Sequence, residues 1–160
     1  MSGPGAAAAG DDVRDRFVPW KQGATPPLSL KDLDGRGHAL AEYRGSVILV
    51  NFWATWCEPC QEEMPSLRRL RERLAGQPFA ILGVNYGGES EAKVRAFRQR
   101  LDIDFPLLLD PGGETPRGWR VRVLPASFLV GRDGRVRYHV IGELDWASDA
   151  AVAVVRSLLR

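Results

Sequence analysis

The only two cysteines of this chain, Cys57 and Cys60, stand three residues apart at the junction of two unlike stretches. Before them, residues 46–53 form a β-branched and aromatic run (Val47, Ile48, Leu49, Val50, Phe52, Trp53) that does not alternate with polar residues. That is the pattern of a strand covered on both faces in the middle of an α/β sheet. After them, Met64, Leu67, Leu70 and Leu74 recur at spacings of three and four, with Arg68, Arg69, Arg71 and Arg73 on the other faces. Residues 58–74 therefore read as a long amphipathic helix, stopped by Gly76-Gln77-Pro78. Pro65 inside it removes a backbone donor and predicts a kink. A disulfide across so short a loop constrains the unfolded chain very little, so a hydrophobic core has to hold the fold. At 160 residues and 44% hydrophobic, the chain is long enough for one such core.

The remaining elements follow from the same patterns. Residues 26–43 read as a hairpin, with Leu28-Ser29-Leu30, an Asp34-Gly35 turn and a second segment around His38 to Leu40. Residues 79–86 are a second buried strand, and Ser90 is placed to cap a helix whose apolar positions are Val94, Phe97 and Leu101. A short segment at 105–110 leads into a Pro- and Gly-rich loop. Strands at 126–131 and 136–141 flank an Arg132-Asp133-Gly134 turn, and residues 147–159 close the chain as a helix. The alternating first half predicts parallel pairing through a crossover, and the final hairpin an antiparallel edge. Residues 1–16 read as a flexible leader and 17–160 as one domain. The first ten residues are small, with neither the basic start nor the apolar centre of about 7 to 15 residues that a signal peptide needs. No apolar run approaches the roughly 20 residues of a membrane-spanning helix. The net charge of +2 is scattered among acids, which excludes a nucleic-acid-binding face and suits a monomer.

At a helix N-terminus, unpaired N–H groups and the helix dipole stabilise a thiolate at Cys57, while Cys60, one turn in, is better shielded. Cys57 is thus the attacking thiol and Cys60 the resolving one: Cys57 forms a mixed disulfide with a substrate, and Cys60 releases the reduced product. Half a zinc site is the bland alternative, but the only histidines, His38 and His139, are far apart in sequence and four ligands are usual.

The run Val50-Asn51-Phe52-Trp53-Ala54-Thr55-Trp56-Cys57-Glu58-Pro59-Cys60, followed by Gln61-Glu62-Glu63-Met64-Pro65, resembles the active-site segment of the TlpA/ResA-type thioredoxin-like thiol-disulfide oxidoreductases. The similarity runs from about Pro26 to the C-terminus. It implies an α/β thioredoxin fold, a central mixed β-sheet flanked by helices, here with an N-terminal β-hairpin extension. It implies dithiol–disulfide exchange that needs no cofactor beyond a redox-active Cys57–Cys60 disulfide and no metal. Leu124-Pro125-Ala126-Ser127-Phe128 resembles the family's cis-proline segment, which implies that Leu124 and Pro125 contact substrate together with Trp56, Glu58 and Pro59. Glu89, in Asn85-Tyr86-Gly87-Gly88-Glu89-Ser90, resembles an active-site glutamate of the family, with one extra glycine in the stretch. It joins Cys57 and Cys60 as a catalytic candidate; as a bland reading, an acid near a helix N-terminus is favoured by the dipole alone. Asn51 stands where many thioredoxins keep a buried acid, and an amide cannot relay the proton that Cys60 must lose.

The family's members are mostly exported or membrane-anchored, with cytochrome c maturation as one common role. The resemblance thus implies a periplasmic or membrane-anchored reductase. Its partners would be protein disulfides and dithiols and a membrane or thioredoxin-like electron donor. Glu58 opposes the thiolate at Cys57 and so favours a reducing couple. Three rivals use the same cysteines. A disulfide oxidase or isomerase differs in potential alone. A thiol peroxidase wants a Thr three residues before the attacking cysteine, where Ala54 stands. A copper-handling chaperone would add His139 as a third soft-metal ligand, although His139 otherwise reads as an ordinary strand residue. Trp53, Trp119 and Trp146 are assigned to the core.

Overall fold

The computed structural model describes residues 12–160. Eight strands form one sheet: β1 (Val18–Pro19), β2 (Ser29–Asp32), β3 (Gly37–Ala39), β4 (Val47–Trp53), β5 (Phe79–Asn85), β6 (Leu107–Leu109), β7 (Ala126–Val130) and β8 (Val136–Ile141). Four helices accompany them: α1 (Glu58–Arg73), α2 (Glu91–Leu101), α3 (Thr115–Gly118) and α4 (Asp149–Leu159). The spatial order is β1-β8-β7-β4-β5-β6-β2-β3.

β4 sits in the middle and every one of its seven residues is buried. It pairs in parallel with β5 and antiparallel with β7, and β6 continues the parallel side while β8 continues the antiparallel one. The sheet is therefore mixed, as the element order requires. The 26–43 hairpin is present as β2 and β3, and it extends the sheet because β2 pairs antiparallel with β6.

Side chains alternate along a strand, and on β4 this builds two cores. Val47, Leu49 and Trp53 face a layer supplied by Met64, Leu67 and Leu70 of α1, Phe97 of α2 and Val152 and Val155 of α4. Ile48, Val50 and Phe52 face Leu82, Trp119, Phe128 and Leu28 on the other side. Trp53, Trp119 and Trp146 are each fully enclosed, and Trp53 stacks on Phe97 with ring centroids 4.3 Å apart. Asn51 shares the parity of Leu49 and Trp53, and so presents its amide to the side on which α1 lies.

The structure adds detail to the sequence reading at the N-terminal end and in α1. Most of the 1–16 leader lies outside the described residues, but Val13–Arg16 is a turn of 3-10 helix capped by Asp12. Arg16 fastens it to the body by donating to the carbonyls of Ile141 and Glu143 at 2.6 and 3.2 Å. β1, two residues long, lies along β8. α1 continues as helix on both sides of Pro65.

Candidate active site

The turn after β4 delivers Cys57 as the N-cap of α1, its sulfur accepting from the Cys60 backbone N–H at 3.3 Å. Cys57 and Cys60 are joined in a disulfide with Cα atoms 5.3 Å apart. The two cysteines differ in access, Cys57 being 5% exposed and Cys60 not at all. Cys57 lines an open cleft of about 330 Å3, whereas Cys60 is wholly enclosed. Trp56, Glu58, Pro59 and Leu124 line that cleft with Cys57, so five of the residues singled out in the sequence meet there. Trp56 is 66% exposed, a large indole left in water beside the reactive pair. The Leu124–Pro125 peptide is cis, and Pro125 is buried next to the cleft wall. Tyr86 and Arg122 complete the lining, and neither carried a sequence signal beyond closing the 79–86 strand pattern and lying two residues before Leu124.

Beneath the motif lies an acid the sequence reading passed over. Glu63, three residues after Cys60 on the same face of α1, is 2% exposed. Its Oε1 accepts from Asn51 Nδ2 at 3.0 Å, and its Oε2 accepts from the Leu144 N–H and Trp146 Nε1, each at 3.0 Å. Burial pushes its pKa up to about 7, against the pull of these hydrogen bonds. Asn51 also donates to Ser127 Oγ at 2.9 Å, while its Oδ1 has no partner among the described residues. The missing buried acid at Asn51 is thus replaced from the facing helix. The signal was a charged residue beside Met64 and four residues before Leu67, on the apolar stripe of α1.

Glu89 is engaged differently. Its carboxylate accepts from the Thr55 backbone N–H at 2.9 Å, from the Thr55 hydroxyl, and from Asn85 Nδ2 at 2.8 Å. Burial works against its charge, but the hydrogen bonds from Thr55 and Asn85 outweigh burial and hold its pKa below the ordinary carboxylate value. Glu89 therefore ties the β5–α2 loop to the residue two before Cys57. Gln61 Nε2 donates to the Thr55 carbonyl at 2.8 Å, so the approach to the motif is clamped from both sides.

Other polar clusters are committed elsewhere. A hollow of about 730 Å3 between the hairpin and α2 contains His38, but both its ring nitrogens are taken, by Asp32 Oδ2 and Tyr43 Oη at 2.7 Å each. His139 is in register with Phe128 and packs against it and Trp20. In-register residues share a face, and the Phe128 face is the one opposite the cysteines, so His139 cannot join them around copper. Among the described residues no group of three or more His, Cys, Asp or Glu is arranged to hold a metal ion.

A dithiol–disulfide pair in an exposed strand-to-helix turn, backed by a cis-proline segment and a mixed sheet, defines a thioredoxin-like thiol-disulfide oxidoreductase whose redox group is its own Cys57–Cys60 bond. Known proteins agree. The model of the AhpC/TSA family matches residues 22–139, and the chain belongs to that family. It is 37% identical over 119 residues, 74% of this chain and 68% of the relative, to thiol-disulfide oxidoreductase ResA of Geobacillus thermodenitrificans (strain NG80-2). Among solved structures, a DsbF homologue from Corynebacterium diphtheriae superposes with a TM-score of 0.76 at 21% identity, covering 99% of this chain and 98% of that one. The pneumococcal exposed lipoprotein thioredoxin of Streptococcus pneumoniae strain TIGR4 does so with a TM-score of 0.69 at 25% identity, covering 82% and 99%.

Proposed function

We propose that the chain reduces disulfides of proteins outside the cytoplasm, with Cys57 as the attacking thiol and Cys60 as the resolving one. The observation that carries this reading is the inequality of access: Cys57 opens onto the cleft and Cys60 does not. In the dithiol form the Cys57 thiolate attacks one sulfur of the substrate disulfide, and the other sulfur leaves as a thiolate. Cys60, losing its proton, then attacks the Cys57 sulfur, expels the second substrate thiolate and closes the Cys57–Cys60 bond. Two electrons pass to the substrate, and the oxidised chain is the end state. A dithiol donor, in the membrane or on a thioredoxin-like protein, must return the electrons.

Glu63 is suited to hold the Cys60 proton, being one helical turn away and titrating near neutrality. Glu89 serves as a positioning residue that fixes Thr55 ahead of Cys57. Glu58, exposed at the cleft, disfavours the thiolate and so the reduced form, which makes the couple more reducing. A structural neighbour named as an exposed lipoprotein thioredoxin supports an extracytoplasmic setting, periplasmic or membrane-anchored; a role of the cytochrome c maturation type rests on the resemblance of the motif alone.

The test is the reduction potential, measured by equilibration in defined dithiol/disulfide buffers and mass counting of trapped thiols. A value of roughly −270 to −230 mV supports a reductase. A value above about −150 mV would make the chain an oxidase or isomerase and remove the role given to Glu58.

A further inference from the structure

Beside the disulfide cleft lies a second hollow, of about 600 Å3, which the redox step does not use. The two adjoin at Tyr86 and Arg122, which line both, and together they are termed the groove. Arg117, Arg120 and Arg122 line it, and among the described residues the one carboxylate lining either part is Glu58, next to Cys57. Some arginines elsewhere are paired with acids, as Arg68, Arg71 and Arg73 are with Asp102, Asp104 and Asp149. The three groove arginines are exposed and form no salt bridge among the described residues. Arg120 is also held at φ 58°, in the left-handed region just past the end of α3. Glycine is the usual residue there, because a Cβ is disfavoured. The position keeps a long cationic side chain against that preference.

We propose that this groove selects substrate proteins whose disulfide cysteine is flanked by acidic side chains, the carboxylates lying on Arg117, Arg120 and Arg122 while the reacting sulfur faces Cys57. The proposal rests on the protein-disulfide reductase reading and adds to it the chemistry of the partner. Guanidinium groups receive carboxylates in a two-point fork. Glu58 repels the same carboxylates, so the charge pattern sets the direction in which the substrate chain lies. Attraction of this kind acts mainly on the rate of encounter, which suits an exchange that ends in release.

The test uses three peptides, each closed by one internal disulfide and differing only in flanking residues: Asp and Glu, Asn and Gln, or Lys. The dithiol form of the chain is mixed with each, quenched in acid and its remaining thiols counted by mass. The acidic peptide is expected to be reduced about tenfold faster than the neutral one at low ionic strength, with the ratio shrinking as salt screens the groove. In the triple variant Arg117→Gln, Arg120→Gln, Arg122→Gln the ratio should fall to about one, and in Arg117→Glu the order should move toward the basic peptide. Equal rates for acidic and neutral peptides with the native chain, or a preference that survives the triple variant, overturn the groove and leave the reductase standing. Failure to reduce any of the three overturns the reductase reading, and the preference with it.

Discussion

Asn51 and Glu63 are joined across the interface of β4 and α1, the amide donating to the carboxyl oxygen at 3.0 Å with the Asn51 Oδ1 left unpartnered. Protonation of Glu63 would supply the hydrogen that a turned Asn51 amide can accept. Glu63 titrates at about 7 in the fold and at 4.5 ordinarily. Between those values the folded chain keeps a proton that the unfolded chain has lost, so stability falls as pH rises through this window. Glu63→Gln is neutral throughout and escapes that loss. Its unfolding free energy in urea, relative to the native chain's, is expected to be higher at pH 8 than at pH 5, by an amount on the order of 2–3 kcal/mol. The same difference at both pH values would refute the titration.

Removing the charge beside the attacking sulfur tests the second electrostatic claim. Glu58→Gln should raise the fraction of Cys57 present as thiolate near neutral pH by roughly two- to fivefold, the scale of one exposed charge interaction. Thiolate absorbance of the reduced chain during a pH titration reads this directly. No change, or a fall, would remove Glu58 from the account of the potential.

Order of attack is settled by trapping. With Cys60→Ser, a substrate disulfide should leave a mixed disulfide on Cys57 in near-stoichiometric yield, seen as an added mass, because the resolving thiol is gone. Cys57→Ser should give little adduct at the enclosed Cys60. The opposite pattern would exchange the two roles.

Glu89→Ala strands the Thr55 N–H, the Thr55 hydroxyl and Asn85 Nδ2 at once. A cost of about 1–3 kcal/mol is expected from groups left without acceptors. Hydrogen exchange should quicken at Thr55, and disulfide exchange should slow at unchanged potential. A slower reaction with undisturbed exchange at Thr55 would mean that Glu89 acts on the chemistry directly.

The sequence and the structure part company where a feature depends on distant partners. The non-alternating, mainly apolar run of β4, the three-and-four spacing of α1 and the Ser90 cap are local signals, and each element stands where its pattern put it. β1 was illegible because two residues have no period. Glu63 was passed over for another reason. Next to Glu62, with arginines beyond, it reads as part of a solvated charged face, and the groups that make it internal come from Asn51, Leu144 and Trp146, 12 to 83 residues away. Tyr86 and Arg122 belong to the cleft only because β5 and the segment before β7 flank β4 on either side.

The outermost strands have consequences of their own. β1 is two residues long and ends in Pro19, which has no N–H, and β3 is three residues long. An edge this short gives a visiting backbone almost nothing to zip onto. Extended polypeptides are the very visitors most prone to such templating. The chain can therefore meet them repeatedly, trade a bond at a single sulfur, and come away clean.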